Sequence, residues 1–169
     1  MNPLVSIARF LALGIHKSKV PTGFTPLSKV RVVTVMLDAE GKDAQSLVDS
    51  VNKYFSSKGI RAEIFALSRE KKPVALKGAY MLGRRNVNWF GKPRKNKRTP
   101  RVNLGEQLFI NLLPSDNFTA QFCAAASEAV FKIGCASSSK GIYDIFVDSE
   151  GHAPSAICAQ MAGLLDTVK

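Results

Sequence analysis

Residues 30–37 read VRVVTVML, and this β-branched run decides how the rest of the chain folds. Near-continuous apolar runs of this kind fill strands that are buried on both faces of a parallel sheet. Residues 43–57 then begin with Asp43, which suits a helix N-cap, carry apolar side chains at helical spacing and close with Lys58-Gly59. Residues 60–67 (IRAEIFAL) return to the alternation of a strand. Strand, helix and strand with short connections predict a right-handed βαβ unit.

The second half of the chain repeats this order. Strands are predicted at 107–113, 130–134 and 142–147, and helices at 116–129 and 153–168. The alternation predicts an α/β fold, a small Rossmann-like sandwich with a mostly parallel sheet and helices on both faces. We expect residues 1–26 to form an N-terminal amphipathic helix and linker, and residues 27–169 to form a single α/β domain with a basic insertion at 71–105.

The charge of the chain is concentrated in that insertion. Of the 24 Lys and Arg residues, eleven lie between Lys71 and Gly105, where no acidic residue occurs; the remaining 13 match the 13 Asp and Glu of the whole chain. A local field of this kind indicates a polyanionic partner such as nucleic acid or an anionic membrane surface.

Two aromatic residues, Trp89 and Phe90, stand between cationic clusters inside the insertion. Aromatic rings that stack on bases and cations that neutralise phosphates are the two ingredients of single-stranded nucleic-acid binding. The predicted nucleic-acid-binding residues are Arg84, Arg85, Trp89, Lys92, Arg94, Lys95, Lys97, Arg98 and Arg101. For Trp89 we favour the alternative that it is buried and anchors the insertion to the body of the protein, because large aromatic side chains are usually buried.

A second candidate site lies where the predicted strands end. Ligands of open α/β sheets bind beyond the carboxyl ends of the strands. The polar residues expected there are Asp38, Asn111, Ser115, Asp116 and Asn117. Ser115 and Asp116 also suit a helix N-cap. The glycine-rich dinucleotide and phosphate-loop motifs are absent, as is the GxSxG elbow, so we assign no catalytic residue and no cofactor.

The cysteines and histidines do not predict a metal site. Cys123, Cys135 and Cys158 have neither CxxC spacing nor a histidine cluster nearby, and His16 and His152 are the only histidines. We expect reduced thiols, buried as small apolar side chains, in a cytoplasmic protein.

The N-terminal segment predicts an amphipathic helix over residues 3–17. Leu4, Ile7, Leu11 and Ile15 share one face at 3.6 residues per turn. The run is too short to span a membrane and lacks signal-peptide features. We expect its apolar face to dock on the body or on a partner; binding at a membrane surface, assisted by Lys17 and Lys19, is the alternative.

Three segments in order carry a resemblance to a known family: Asn88-Trp89-Phe90-Gly91-Lys92, then residues 108–112 (LFINL), then residues 126–134 (ASEAVFKIG). In this order they resemble an uncharacterised family, a domain of unknown function, of small α/β proteins from Bacteroidota. The resemblance implies a cytoplasmic location and a compact α/β fold, and it carries no activity. The leading hypothesis rests instead on the basic insertion and is a non-enzymatic factor that binds RNA or a ribonucleoprotein through it. A small-ligand or enzymatic domain is the second hypothesis, and a peripheral membrane adaptor is the third.

Overall fold

A computed structural model describes residues 3–70, 72–94, 105–113, 117–135, 141–147 and 152–167. The helices are α1 (Pro3–His16), α2 (Ala44–Ser57), α3 (Phe118–Ala126) and α4 (Pro154–Thr167). The strands are β1 (Val32–Asp38), β2 (Arg61–Leu67), β3 (Tyr80–Leu82), β4 (Leu108–Asn111), β5 (Phe131–Gly134) and β6 (Ile145–Phe146).

The strands form one sheet in the order β3-β2-β1-β4-β5-β6, and every described pairing is parallel. The first three strands are added outward from β1 to β3 on one side, and the chain then returns to place β4, β5 and β6 on the other side of β1. This reversal creates a topological switch point between β1 and β4, as in doubly wound folds. The predicted Rossmann-like architecture is confirmed.

Helices cover both faces of the sheet because β1 is apolar on both sides. Val33, Val35 and Leu37 join the core beneath α2 and α4. Met36 points the other way and packs with Phe65 and Phe109 beneath α3. The small residues Ala120, Cys123 and Ala124 of α3 are buried in this second core, so the helix can lie close to the sheet.

Two sequence predictions about local structure are corrected. The basic insertion is not only a loop, since residues 80–82 pair with β2 and form the edge strand β3. The predicted helix 116–129 is shorter, because Ser127 is extended (φ −64°, ψ 138°) and ends α3 at Ala126.

The helix caps also differ from expectation. Asp43 precedes α2 without making a side-chain capping bond. At α3 the cap is Asn117, whose side chain accepts a hydrogen bond from the Ala120 amide at 3.2 Å. Ser115 and Asp116, the predicted caps, lie outside the described residues.

Helix α1 forms as predicted, but it docks with the opposite face. The expected docking residues Leu4, Ile7, Leu11 and Ile15 are all exposed, whereas Ala12 is buried against Phe118 and Phe122 of α3. The small Ala12 side chain lets the two helices approach each other closely. Among the described residues, no helix combines the length and apolarity needed to cross a membrane.

Candidate nucleic-acid interface

Residues 88–92 form a tight turn, called here the 88–92 turn, that is organised by one asparagine. The Oδ1 atom of Asn88 accepts hydrogen bonds from the amides of Phe90, Gly91 and Lys92 at 3.3, 3.0 and 2.8 Å. The Asn88 amide donates to the Lys92 carbonyl at 2.8 Å, next to an antiparallel bridge between residues 87 and 93. Asparagine suits this position because its short side chain replaces backbone partners in turns.

Gly91 is required in this turn for two reasons. Its φ is +104°, a conformation that side chains disfavour. In addition, a Cβ atom there would lie 2.9 Å from Cδ1 of Phe118 and 3.2 Å from Oγ1 of Thr119. The glycine therefore lets the turn lie directly on the start of α3.

Both neighbouring helices hold the 88–92 turn. Arg9 of α1 donates from Nε to the Phe90 carbonyl at 2.9 Å, and its guanidinium carbon lies 4.9 Å from the centre of the Phe118 ring. Thr119 of α3 donates from Oγ1 to the Gly91 carbonyl at 2.7 Å. The Phe90 ring packs edge-on against Phe118, with centroids 6.3 Å apart. This part of the insertion is thus an ordered platform.

Trp89 projects from that platform into solvent, with 67% of its surface exposed. The expectation that Trp89 is the buried anchor is wrong, because Phe90 fills the apolar site between α1 and α3 instead. Trp89 contacts the Phe90 ring edge-to-face, with centroids 5.2 Å apart. The indole therefore rests against an aromatic neighbour that is packed on α3, while most of its surface remains accessible.

The predicted cations divide into two groups. Arg84, Arg85 and Arg94 are exposed, and the Arg94 amide donates to the Asn86 carbonyl at 2.7 Å. Lys92 is half-buried: its Nζ atom lies 2.9 Å from Nε2 of His16 and 5.5 Å from the centre of the Phe122 ring. Lys92 therefore helps to fix the turn to α1 and α3. Lys95, Lys97, Arg98 and Arg101 lie outside the described residues.

A crevice of about 290 Å³ opens next to the turn, at the carboxyl ends of β1, β2 and β3. Its polar lining consists of Asp38, Ser68, Arg69, Arg84, Asn117 and Thr119. The predicted site residues Asp38, Asn117 and Arg84 come together here, although the sequence assigned Arg84 to a different site. Arg69 was missed; its position two residues after β2 is the signal that could have found it.

The wall of the crevice at Arg69 is ordered by a carboxylate. Glu40 accepts hydrogen bonds from the amides of Arg69 and Glu70 and from the Ser68 hydroxyl. These bonds, with the Arg69 amide contributing most, hold the pKa of Glu40 below its usual value. The loop after β2 is thereby tied to the loop after β1.

Asn111 does not line the crevice. It is completely buried: its Nδ2 donates to the Tyr143 hydroxyl at 2.8 Å and its Oδ1 accepts from the Leu113 amide at 3.0 Å. Burial raises the pKa of Tyr143 well above its ordinary value. Asn111 thus joins β4 to the segment before β6, and its side chain does not reach the crevice where the sequence placed it.

The three cysteines are packed in the interior or half-buried, as small apolar side chains are. Cys123 and Cys135 are buried and Cys158 is half-buried. Burial raises the pKa of all three thiols, that of Cys135 to about 12, which disfavours the reactive thiolate. Within the described ranges, no group of three or more His, Cys, Asp or Glu side chains is placed to hold a metal ion.

The three segments that carried the sequence resemblance are the 88–92 turn, residues 108–112, which contain β4, and residues 126–134, which run from the end of α3 through β5. No curated protein matches the chain, and no solved structure matches it. One family model does match, and it covers residues 6–167, which include α1 from Ser6 onward, the 88–92 turn and the six described strands. The chain therefore belongs to DUF6913, a family of unknown function.

Proposed function

We propose that this protein is a non-enzymatic factor that binds single-stranded RNA, free or within a ribonucleoprotein, on the 88–92 turn and its surrounding arginines. The observation that carries the proposal is the 67% exposure of Trp89 on a turn that Asn88, Arg9 and Thr119 hold rigidly. An indole already held in place loses little conformational freedom when a base stacks on it. Such a stack contributes about 1–3 kcal/mol per base.

The exposed guanidinium groups supply the second part of the interface. Arg84 and Arg85 lie on one side of the turn in sequence and Arg94 on the other, and all three are exposed. The described carboxylates form ion pairs with none of them. Arginines in this state release counterions when they bind phosphates, which produces salt-dependent affinity. Lys95, Lys97, Arg98 and Arg101 extend the same run of positive charge in the sequence.

The test is fluorescence anisotropy with a labelled single-stranded oligouridine over a range of salt concentrations. Contact with about five phosphates gives a slope of roughly −3 to −4 in a plot of log affinity against log salt. Trp89→Ala should weaken binding by about 5- to 150-fold, which corresponds to ~1–3 kcal/mol. The thermal unfolding midpoint should stay nearly unchanged because the side chain is exposed.

A charge-matched pair of double variants supplies the control. Arg85→Ala with Arg94→Ala should reduce the magnitude of the slope by about 1.4, or 0.7 for each lost phosphate contact. Lys42→Ala with Lys53→Ala removes the same charge from two exposed positions. Lys42 lies just before α2 and Lys53 lies within it, on the opposite side of the sheet from α3. Equal losses in the two double variants, or no binding at low salt, would show that the turn is not an RNA site.

The crevice supports a second candidate function, the binding of a small phosphate-bearing ligand. Arg69 and Arg84 both line a cavity of about 290 Å³ beside the topological switch point of the sheet. This is where doubly wound folds bind ligands, and guanidinium groups recognise phosphate by paired hydrogen bonds. Nucleoside monophosphates and diphosphates should then raise the unfolding temperature of the wild type and of Arg85→Ala, but not that of Arg69→Ala. An unchanged unfolding temperature of the wild type with every nucleotide would count against this site.

A further inference from the structure

Helix α1 has an inner face that packs on α3 and the 88–92 turn, and an outer face that the described residues leave exposed. The inner face carries Ala12, the Arg9 contacts to the turn, and His16, whose ring lies 5.4 Å from that of Phe122. The outer face exposes large apolar side chains: Leu4 by 67%, Ile7 by 57%, Phe10 by 78%, Leu11 by 53% and Ile15 by 75%.

These outer side chains form a continuous stripe. At 100° per residue, Ile7, Leu11 and Ile15 lie within one narrow sector, and Phe10 borders it. Gly14 lies between Ile7 and Phe10 around the helix, where an added Cβ would meet no atom within 4 Å. A contiguous stripe of exposed apolar side chains marks an interaction surface.

Charge determines which partner fits this stripe. Residues 1–37 contain five Lys and Arg residues and no acidic residue. Lys17 and Lys19 are exposed immediately after α1. The apolar stripe is suited to the boundary of the acyl chains in an anionic bilayer. The lysines that follow the helix are suited to the phosphate headgroups.

Other occupants fit less well. A second copy of the chain would bring two proteins of net charge +11 together with their Lys17 and Lys19 groups near one shared interface. RNA bases stack on flat aromatic rings, whereas Ile7, Leu11 and Ile15 are branched aliphatic side chains that provide no stacking surface. Helix α1 has 14 residues, about 21 Å, which suits a helix lying in the plane of a membrane surface.

We infer that α1 binds the surface of an anionic membrane, with Ile7, Phe10, Leu11 and Ile15 inserted at the acyl boundary and Lys17 and Lys19 on lipid phosphates. The inner face of α1 stays on α3 in this arrangement. This surface differs from the face of the 88–92 turn that carries Trp89, so the inference does not rest on the RNA-binding proposal.

The experiment is flotation of the nuclease-treated, full-length protein with vesicles. Vesicles of phosphatidylcholine with about one third phosphatidylglycerol supply the anionic surface, and pure phosphatidylcholine vesicles are the neutral comparison. The wild type should float with the anionic vesicles, float much less with the neutral ones, and lose binding at high salt. Failure to float with anionic vesicles at low salt would overturn the inference.

Two independent double variants test the apolar stripe: Ile7→Gln with Phe10→Gln, and Leu11→Gln with Ile15→Gln. All four side chains are exposed, so the fold should persist by circular dichroism while the partition coefficient falls about tenfold or more. The control Phe24→Gln with Val74→Gln alters apolar residues outside α1 that are 60% and 80% exposed, and it should float like the wild type. Lys17→Gln with Lys19→Gln should reduce binding to anionic vesicles only.

The remaining outcomes decide between the occupants. If both stripe variants float like the wild type, the basic insertion alone holds the protein on lipid and the inference is wrong. A different result would identify α1 as a self-association surface instead. In that case the wild type would be a dimer by light scattering, the stripe variants would be monomers, and none of these proteins would float. Ile7→Gln with Phe10→Gln should keep wild-type affinity for oligouridine, which separates this surface from the RNA site.

Discussion

Replacing Gly91 by alanine should destabilise the protein through two separate effects. The first is backbone strain, because φ is +104° and a residue with a Cβ atom in left-handed conformations costs about 1–2 kcal/mol. The second is overlap, because the new Cβ would lie 2.9 Å from Cδ1 of Phe118, and overpacking of this kind costs about 1–3 kcal/mol. We expect a loss of about 2–5 kcal/mol in the free energy of unfolding, measured by urea titration with far-ultraviolet circular dichroism.

Two other glycines separate these effects. Gly59 also has a positive φ, +69°, but an added Cβ would have no neighbour within 4 Å, so Gly59→Ala should cost only about 1–2 kcal/mol. Gly163 is exposed in α4, has open space around it and has no strained φ. Gly163→Ala should raise stability by about 0.5–1 kcal/mol through helix propensity.

The contact with Phe118 can be isolated by a double-mutant cycle. In a Phe118→Ala background the overlap is absent, so Gly91→Ala should cost about 1–3 kcal/mol less than it does in the wild type. The reasoning would be refuted if Gly91→Ala cost no more than Gly59→Ala, or if its cost were the same in the Phe118→Ala background. Either result would mean that the 88–92 turn does not rest on α3 as described.

Two further predictions concern ionisable groups. The pKa of Glu40 is lower in the folded protein than in the unfolded chain. The ionised carboxylate therefore stabilises the fold fully above the unfolded-state pKa of 4.5, and this stabilisation is lost as the pH falls through the folded-state pKa. Urea titrations should therefore show Glu40→Gln less stable than the wild type at pH 7, with the difference narrowing as the pH falls below 4.5; a difference independent of pH would contradict this. Lys132 is buried and donates from Nζ to the carbonyls of Ala124 and Ser127 at 2.8 and 2.7 Å. Lys132→Met should cost about 3 kcal/mol, since two charge-assisted hydrogen bonds at the end of α3 are lost, and an unchanged urea midpoint would refute that role.

The strongest sequence predictions were those that rest on periodicity. The apolar run of β1 and the helical spacing in α2 predicted the parallel sheet and its covering helices, because both faces of β1 are buried in the structure. Strand β3 was missed because its three residues lie among basic residues, and only pairing with β2 makes them a strand. Short edge strands depend on a neighbour more than on their own composition.

The candidate site was predicted only in part, for a similar reason. Polar residues that follow strands were expected at one edge of the sheet, and Asp38 and Asn117 do line the crevice there. Asn111 has the same kind of position in sequence, but its side chain points to Tyr143 in the interior. Sequence position specifies the end of a strand, whereas the tertiary partner decides whether the side chain is a ligand-facing group or a buried hydrogen-bonding group.

The sequence by itself determined the α/β class, the helical nature of residues 3–16 and the concentration of positive charge, because each depends on spacing or composition along the chain. Only the tertiary structure decided that Phe90 is the anchor and Trp89 the exposed ring, and that α1 docks through Ala12. The local sequence pattern does not distinguish which of two adjacent aromatic residues is buried, or which face of a helix docks on the protein. Contacts with Phe118 and Phe122, more than a hundred residues away from Ala12, select between them.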